Sequence, residues 1–399
     1  MTSNEQLSDQ SGYRWVILVL AWLVYFAFGL ILTSIPPLVN IIAADLSLTY
    51  SEMGIILGSV ILMYIPLAIP IGVGIDRIGL KKMIALGLLF ISSSAVLRSF
   101  VFNFESLFLM VFLFGFGGPT ISVGLAKVAA SFFDGRERGI ASGIYMTGAV
   151  VGSASAFALT NSIFLPLVGT WRNVFSLYGL FGFVIAICWI ILAREPSEKT
   201  EQISRMFPVG MIARSLLGNR HIWMVALIGS SSFLVFYGFG NWLPTLLERK
   251  GLDPVYAGYL ASIPTWTGLI GSAAIPGLSK VGKRRPVIVG LLSIVGITIC
   301  LVGISEDALL LVSLILHGIF SGAIMPLMLV VMMDLPAVGA DNTGIASGLF
   351  FSIGASMGFI GPIIVGYLTD LTSSFMPALL LLTIVVLIMI VPTIVLRED

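Results

Sequence analysis

Charged residues are scarce in this chain. Asp, Glu, Lys and Arg make up 10% of its 399 residues, while hydrophobic residues make up 58%. Soluble domains carry roughly 25% charged residues. Together with a mean hydropathy of +1.06, the shortage predicts an integral membrane protein and excludes a soluble globule. The net charge of +1 offers no basic excess for binding nucleic acid.

Cysteine and histidine are nearly absent as well. Cys188 and Cys300 lie in apolar runs and are too few for a disulfide framework. His221 and His317 are too far apart for an H-E-x-x-H metal motif, and no G-x-x-x-x-G-K-[ST] nucleotide-binding pattern occurs. The sequence therefore predicts no metal, no cofactor and no enzymatic activity.

The chain does contain twelve apolar runs, each long enough for the roughly 20 residues of a membrane-spanning helix. They are continuous rather than alternating with polar residues, which excludes a β-barrel. The predicted fold is an all-α membrane protein with two pseudo-symmetric bundles of six helices, residues 1–193 and 221–399, joined by a charged cytoplasmic linker at 194–220. The runs are 14–43, 50–75, 82–103, 105–132, 138–166, 171–193, 221–247, 254–279, 286–304, 307–333, 342–369 and 375–396.

Lys and Arg are distributed unevenly between the two sides of the membrane. With the N-terminus inside, sixteen of the 21 lie in inner segments and one, Lys127, lies within a span. The positive-inside rule therefore predicts cytoplasmic termini, in a multi-pass protein of a prokaryotic plasma membrane. The polar N-terminus lacks the basic start of a signal peptide, so the first span is expected to be retained. The four outer residues are Arg98, Arg172, Arg249 and Lys250.

Two basic hairpins occur at matching places in the two halves. Residues 72–82 read GVGIDRIGLKK, and residues 275–285 read IPGLSKVGKRR. Gly79 of the first matches Gly282 of the second, while Ser279 stands where the first has Asp76. The segment GIASG also occurs twice, at 139–143 and 344–348. This repetition predicts that the halves are parallel copies of one six-helix unit.

The first hairpin resembles the G-x-x-x-D-R-x-G-R-[KR]-[KR] signature of the major facilitator superfamily, with Leu80 in place of the usual arginine. With twelve spans, a central linker and the half-length repeat, the resemblance covers essentially the whole chain. It implies two six-helix bundles that rock about a central cavity by alternating access. The segment Gly118-Pro119-Thr120, with Lys127 and Trp171-Arg172, further resembles the cyanate/nitroimidazole transporter branch and its organic-anion relatives.

The resemblance also implies a gate at the first hairpin. Asp76 would face the positive end of a neighbouring helix dipole, an interaction worth about 0.3–1 kcal/mol, and Arg77 would pair with an acidic group in the outward-facing state. The alternative is that the basic residues only set the topology. The gate predicted in this way comprises Gly72, Asp76, Arg77, Gly79, Lys81, Arg136 and Arg138.

Lys127 is a charged residue within a span. It precedes Phe133 by six residues, which places it about 9 Å inside the end of a helix. A charge at that depth costs several kcal/mol unless it pairs, faces water or reaches the headgroups. One interpretation is an anion-attracting group on the cytoplasmic side of the cavity. The other is a lysine that snorkels to the membrane surface.

The middle of the spans contains no Asp or Glu. Proton- and sodium-coupled carriers often use a buried carboxylate, so this absence argues against a cationic solute. The sequence predicts a secondary active or facilitative transporter of a small anion, such as cyanate, nitrite or a monocarboxylate. The alternative is a carrier or exporter of a neutral or lipophilic molecule.

Polar and aromatic side chains within the spans are candidates for binding the solute, although each can equally mediate helix packing. His317 can exchange a proton near pH 7, which would give proton-coupled transport, or hydrogen-bond as a neutral imidazole between helices. The other expected partners are the solute and the lipid bilayer, and the protein is expected to be a monomer. The candidates are Tyr25, Tyr64, Lys127, Tyr145, Tyr237, Asn241, Trp266 and His317.

Overall fold

The computed structural model describes residues 3–196, 218–279, 282–336 and 338–396, apart from the side chains of 3–11, 68, 69 and 339–344. All regular secondary structure in these ranges is helical, which confirms the predicted all-α fold. Most of the predicted linker, 194–220, lies outside the described residues, as does Lys280 of the second hairpin. The division into two domains at that linker therefore stays a prediction.

Twelve spans follow one another along the described ranges, and some consist of two helical pieces. Six lie before the linker and six after it. They are span 1 (Ser3–Leu32 and Val39–Leu46), span 2 (Tyr50–Leu62 and Tyr64–Ile78), span 3 (Leu80–Leu97), span 4 (Phe104–Phe132), span 5 (Gly135–Leu159 and Leu165–Val168), span 6 (Trp171–Leu192), span 7 (Arg220–Phe233 and Asn241–Arg249), span 8 (Pro254–Leu278), span 9 (Arg284–Ile304), span 10 (Asp307–Met333), span 11 (Gly339–Thr372) and span 12 (Met376–Ile388 and Ile390–Val395).

Eleven of these spans have the length and hydropathy of membrane-crossing helices. Span 8 has the length, with 25 residues in one helix, but its Ser, Thr, Gly and Pro residues dilute its apolar character. It packs against span 10 and against span 5 of the other half. A helix surrounded by protein on these sides presents less surface to lipid, so it tolerates more polar residues.

Several spans are interrupted where the sequence removes or displaces backbone hydrogen bonds. Pro36 and Pro37 supply no N–H group, and a short 3-10 turn, Pro36–Leu38, separates the two pieces of span 1. Spans 5 and 7 contain π-helical turns at Thr160–Phe164 and Leu234–Gly240. Such turns frequently mark functional sites in helices. The sequence analysis did not predict either of them.

The two halves meet along a seam formed by spans 2 and 11 and by spans 5 and 8. Small residues allow close approach there: a Cβ atom on Gly54 would lie 2.5 Å from the Pro362 carbonyl oxygen, and one on Gly258 would lie 2.5 Å from that of Phe157. Glycine at these positions lets the helix backbones touch, as is common in membrane helix pairs.

Hydrogen bonds between the halves cluster at one end of the seam, which we call the outer end after the predicted orientation. Asp370 of span 11 accepts hydrogen bonds from the backbone N–H groups of Tyr50 (3.0 Å) and Ser51 (2.7 Å) at the start of span 2. Asn40 donates to Glu248 at 2.6 Å. At the opposite, inner end Arg77, Arg136 and Lys283 are exposed. The contacts of Asp370 and Asn40 join the two halves at the outer end.

Candidate functional site

Four of the predicted tyrosines lie close together on spans 1, 2, 5 and 7. The rings of Tyr25 and Tyr145 are 5.7 Å apart, and Tyr237 lies near Tyr25 and Tyr64. The Tyr64 hydroxyl lies 3.4 Å from the Ser122 hydroxyl of span 4, and Tyr25 lies near the same serine. We call these five side chains the hydroxyl cluster.

The hydroxyl cluster is positioned by small residues on neighbouring helices. A Cβ atom on Gly118 would lie 2.8 Å from the Tyr64 hydroxyl, and one on Gly358 would lie 2.9 Å from the Tyr237 ring. Both glycines therefore leave room for a tyrosine. Ser122 was not among the residues predicted from the sequence. The signal that could have found it is a hydroxyl one helical turn beyond Gly118, on the same face of span 4.

Lys127 lies five residues beyond Ser122 on span 4, about 7.5 Å further toward the inner end. Its ammonium contacts the carboxylate of Asp76, at the inner end of span 2. The two side chains are 39% and 56% exposed, so the pair lies in a solvated mouth. Lys127 was predicted as a solute-binding residue and Asp76 as a gating residue, and the structure brings them together.

Asp76 does not cap a helix in this state, and a residue missed by the sequence analysis does. Glu195 accepts hydrogen bonds from the backbone N–H groups of Leu80 (3.1 Å) and Lys81 (3.0 Å), at the start of span 3. The Trp189 indole donates to the Lys81 carbonyl at 3.0 Å. Glu195 was counted only among the charges of the linker. It ties the end of span 6 to the first hairpin.

The matching glycines of the two hairpins both adopt a positive φ. Gly79 has a φ of +102° and Gly282 a φ of +78°, in a region that side-chain-bearing residues rarely enter. In the second hairpin, the Ser279 hydroxyl donates to the Pro276 carbonyl of its own helix at 2.8 Å. Arg284 forms a salt bridge with Asp334 at the end of span 10. The second half thus also has an ion pair at its inner end.

The other predicted gating residues surround this inner mouth. Arg77 and Arg136 are exposed, and Gly72 has open space around it. Arg138 donates to the carbonyls of Phe133 and Ala130, both at 3.1 Å, and thereby caps the end of span 4.

Three predicted solute-binding residues lie elsewhere in the second half. His317 is buried, with Nδ1 3.1 Å from the Thr298 hydroxyl and its ring 4.6 Å from the Phe239 ring. This environment matches the alternative of a neutral histidine between helices. Asn241 is buried in span 7, while Trp266 is 44% exposed on span 8. Their contacts with a solute stay predictions.

Arg98, one of the four basic residues assigned to the outer segments, lies inside the protein. It is fully buried and donates to the Ser94 hydroxyl (2.9 Å), the Ser34 hydroxyl (3.1 Å) and the Ile31 carbonyl (3.4 Å). The carbonyl belongs to the last turn of the helix that the span 1 prolines end. Arg98 therefore stabilises the bend in span 1.

No group of His, Cys, Asp and Glu that could hold a metal ion occurs among the residues with described positions. The site described so far contains hydroxyls and aromatic rings from both halves, and one solvated ion pair within the first half. These groups resemble the solute-binding site of a transporter rather than a catalytic centre.

Comparison with known proteins identifies the family. The model described as "Major Facilitator Superfamily" matches residues 17–362. The chain belongs to this superfamily. It is a multi-pass membrane transporter of a small-molecule solute and not an enzyme, and the predicted superfamily fold is confirmed.

Relatives in the superfamily align over most of their length. The probable galactarate/D-glucarate transporter GarP of Escherichia coli (strain K12) is 27% identical over 385 residues, with 85% of this chain and 84% of that protein covered. The uncharacterized transporter YycB of Bacillus subtilis (strain 168) is 27% identical, covering 90% and 89%. The hexuronate transporter of the same organism is 24% identical, covering 84% and 83%.

The fold also resembles a solved structure. A bacterial homolog of the human lysosomal transporter Spinster, in an inward-facing and occupied conformation, superposes with a TM-score of 0.77. The two share 16% sequence identity, and the match covers 97% of each chain. This likeness concerns the fold alone.

Proposed function

We propose that this transporter carries a small organic anion, and that its solutes are hydroxylated carboxylic acids of the sugar-acid class. The observation that carries the proposal is the hydroxyl cluster, whose Ser122 precedes Lys127 by five residues on span 4, about 7.5 Å along the helix axis. Hydroxyl groups suit a polyhydroxylated solute, because each can donate and accept a hydrogen bond. The relatives named for galactarate, D-glucarate and hexuronate point to the same class.

The spacing of the two parts suits a short sugar acid. The hydroxyls would bind to the tyrosines and Ser122, while a carboxylate would reach toward Lys127 and replace Asp76 as its partner. Exchange of one carboxylate for another keeps the ammonium paired. The alternative of snorkelling is disfavoured for Lys127 in this state, because its ammonium lies on a protein carboxylate.

Cyanate and nitrite, which the branch resemblance suggested, are weaker candidates. Each is a compact ion that needs few hydrogen bonds, whereas the cluster offers five hydroxyls on four spans of the first half and one of the second. Relatives of this chain are named for galactarate, D-glucarate and hexuronate, and none of these names supports the cyanate branch.

A neutral solute is the second candidate, and one observation favours it. Asp76 compensates the charge of Lys127, and the hydroxyl cluster itself is uncharged. A neutral polyol could therefore bind there without displacing the ion pair.

Uptake into proteoliposomes separates these candidates. Purified protein would be tested with labelled D-glucarate, galactarate and D-galacturonate, and with the neutral polyol galactitol as a control of similar size. We expect saturable uptake of at least one acid, competed by the other acids and not by galactitol. Equal uptake of galactitol would favour the neutral solute, and uptake of cyanate alone would contradict the proposed class.

The membrane, the orientation and the oligomeric state are also proposed from the sequence. We infer a plasma membrane with both termini in the cytoplasm, a prokaryotic source and a monomeric protein. A coupled proton stays a prediction as well. Glucarate-driven alkalinisation outside the proteoliposomes, followed with a pH dye, would support proton symport, and unchanged pH would support a uniporter.

A further inference from the structure

A pocket of about 210 Å³ opens at the outer end of the second half. Arg249 and Lys250, at the end of span 7, lie on its wall beside Ser373 and Ser374 of the turn between spans 11 and 12. Its volume equals that of about seven waters in the liquid, which suits a small acid or a headgroup. The remaining lining residues are Leu246, Gly303, Thr369, Phe375, Met376 and Leu379.

The two cations keep donors available to a ligand. The Lys250 ammonium donates to the carbonyls of Val302 (2.9 Å) and Ser305, and an ammonium has three donors. Arg249 uses Nε and Nη2 on the Tyr50 hydroxyl, at 3.1 and 3.0 Å, and a guanidinium has five. The salt bridges formed by described residues include neither cation.

The charge balance of the pocket is positive. Burial lowers the pKa of Lys250, and the charge of Glu306 opposes that shift. Adjacent cations in a partly desolvated pocket attract an anion more strongly than the same cations in bulk water. Basic pockets between membrane helices on the cytoplasmic side bind anionic lipid headgroups, and the same attraction between charges applies to this pocket at the outer end.

Arg249 connects the pocket to contacts between the two halves. The Tyr50 hydroxyl that accepts from Arg249 donates to Asn40 at 3.0 Å, and Asn40 donates to Glu248 of span 7. Tyr50 belongs to the first half and Arg249 to the second. A ligand that drew the guanidinium into the pocket would remove one of the contacts that close the outer end.

We propose that this pocket binds an oxyanion, a carboxylate or phosphate group, between Arg249 and Lys250, in competition with the Tyr50 hydroxyl for the guanidinium. Two sources have this chemistry: a soluble acid arriving at the outer face and the headgroup of an anionic lipid. The proposal is independent of the transported solute, because it requires only the charge and the oxygens of the ligand.

A cysteine introduced in place of Ser374 reports occupancy of the pocket directly, because a bound ligand protects its thiol from reaction. Cys188 and Cys300 would be replaced by Ala, Ser374→Cys introduced, and its reaction rate with N-ethylmaleimide measured in detergent. At ten times its dissociation constant, a ligand that covers the thiol slows the reaction about tenfold. We expect inorganic phosphate and D-glucarate to protect, and galactitol to have no effect.

Two further substitutions act in opposite directions. Arg249→Gln is expected to abolish protection, whereas Tyr50→Phe frees the guanidinium and is expected to lower the phosphate concentration that gives half-protection. Lys283→Gln, which removes an exposed cation at the inner end, is the matched control and should leave protection unchanged. Nanodiscs with phosphatidylglycerol, compared with phosphatidylcholine alone, test the lipid source: slow labelling without soluble anion identifies the headgroup.

The proposal is overturned if neither anion nor lipid changes the labelling rate, or if Arg249→Gln is protected as well as its parent. Lys250 would then only cap the end of span 9, and Arg249 would only pack on the Tyr50 ring, 5.2 Å from its centroid. Uptake of sugar acids can fail while phosphate still protects the thiol, and the reverse also holds. The two proposals therefore fail separately.

Discussion

At the scale of single residues, the contact between Lys127 and Asp76 joins two predicted roles. Both residues stood out in the sequence because charges are rare in spans, but nothing in their 51-residue separation indicates that they meet. Packing of span 2 against span 4 brings them together. The sequence identified the charges, and only the fold could identify the partner.

Lys127→Met tests the role of this ammonium in binding the solute. Hydrogen bonds to charged groups contribute about 1.5–3 kcal/mol, so we expect the KM for a transported sugar acid to rise about tenfold or more. Stability should change by less than about 1 kcal/mol, because the ion pair is exposed. Initial rates in proteoliposomes measure the first effect and thermal melting the second. Lys82→Met, at the same end, is the control, and an unchanged KM in Lys127→Met would leave Lys127 as a purely structural residue.

Arg98 is the buried charge that sequence reasoning misplaced, because position alone does not distinguish a helix end at the lipid surface from one covered by protein. Its Nε atom lacks a hydrogen-bond partner, and burying a guanidinium without a carboxylate is costly. We expect Arg98→Met to melt near the wild-type temperature, since the side chain fills the space without a charge. Arg98→Ala should be less stable than Arg98→Met by about 2–5 kcal/mol, because it leaves a cavity. If both variants are destabilised equally, the hydrogen bonds to span 1 are essential.

At the scale of elements, the continuity and length of the apolar runs predicted the spans well. The boundaries of span 4, expected at 105–132, fall at Phe104–Phe132. Sequence could not predict the π-helical turns, because they depend on packing rather than on composition. It also could not predict the cap of span 3. Glu195 lies 115 residues from Leu80, and a carboxylate beside a basic linker reads as a solvated charge.

Gly79→Ala tests this cap against an internal control. A Cβ atom on Gly79 would lie 2.6 Å from Glu195 Oε1, whereas one on Gly282 would meet nothing within 4 Å. Both substitutions strain a positive φ, and Gly79 also has a ψ of 150°, in a region that is essentially restricted to glycine and costs about 1–3 kcal/mol. Gly79→Ala should cost more than Gly282→Ala, because it also displaces the carboxylate from the start of span 3. Thermal melting of the two variants, with Glu195→Gln beside them, measures the difference. Equal losses would show that the cap contributes little.

At the scale of the whole molecule, the duplicated sequence predicted two similar halves but not the state in which they meet. Whether the inner or the outer end is closed depends on contacts such as Asp370 with Ser51, between residues 319 positions apart. Each such contact is worth only a few kcal/mol, and both states use the same helices. The cluster of contacts at the end that we call outer therefore sets the observed state, in which that end is closed.

Asp370 is the outer contact with the most hydrogen bonds, because its carboxylate also accepts from the Ser51 hydroxyl. It lies at the positive end of the span 2 dipole, where a negative charge is favourable. Asp370→Asn removes the charge and weakens these bonds. We expect a loss of about 1.4 kcal/mol from the closed outer end, which shifts the population about tenfold toward outward-facing molecules.

Distances between two spin labels, measured by pulsed electron paramagnetic resonance, would follow this shift. After replacement of Cys188 and Cys300, the labels would be attached to cysteines introduced at Phe102 and Asp307, on the outer ends of the two halves. Both positions are exposed, so the labels need not disturb the seam. The distance between the labels should be shorter when the outer end is closed and longer when it is open. The population with the longer distance should increase in Asp370→Asn. Glu105→Gln removes a carboxylate from the first turn of span 4, away from the other half, and should leave the distribution unchanged. If Asp370→Asn also leaves it unchanged, the remaining contacts through Tyr50 and Asn40 suffice to hold the outer end closed.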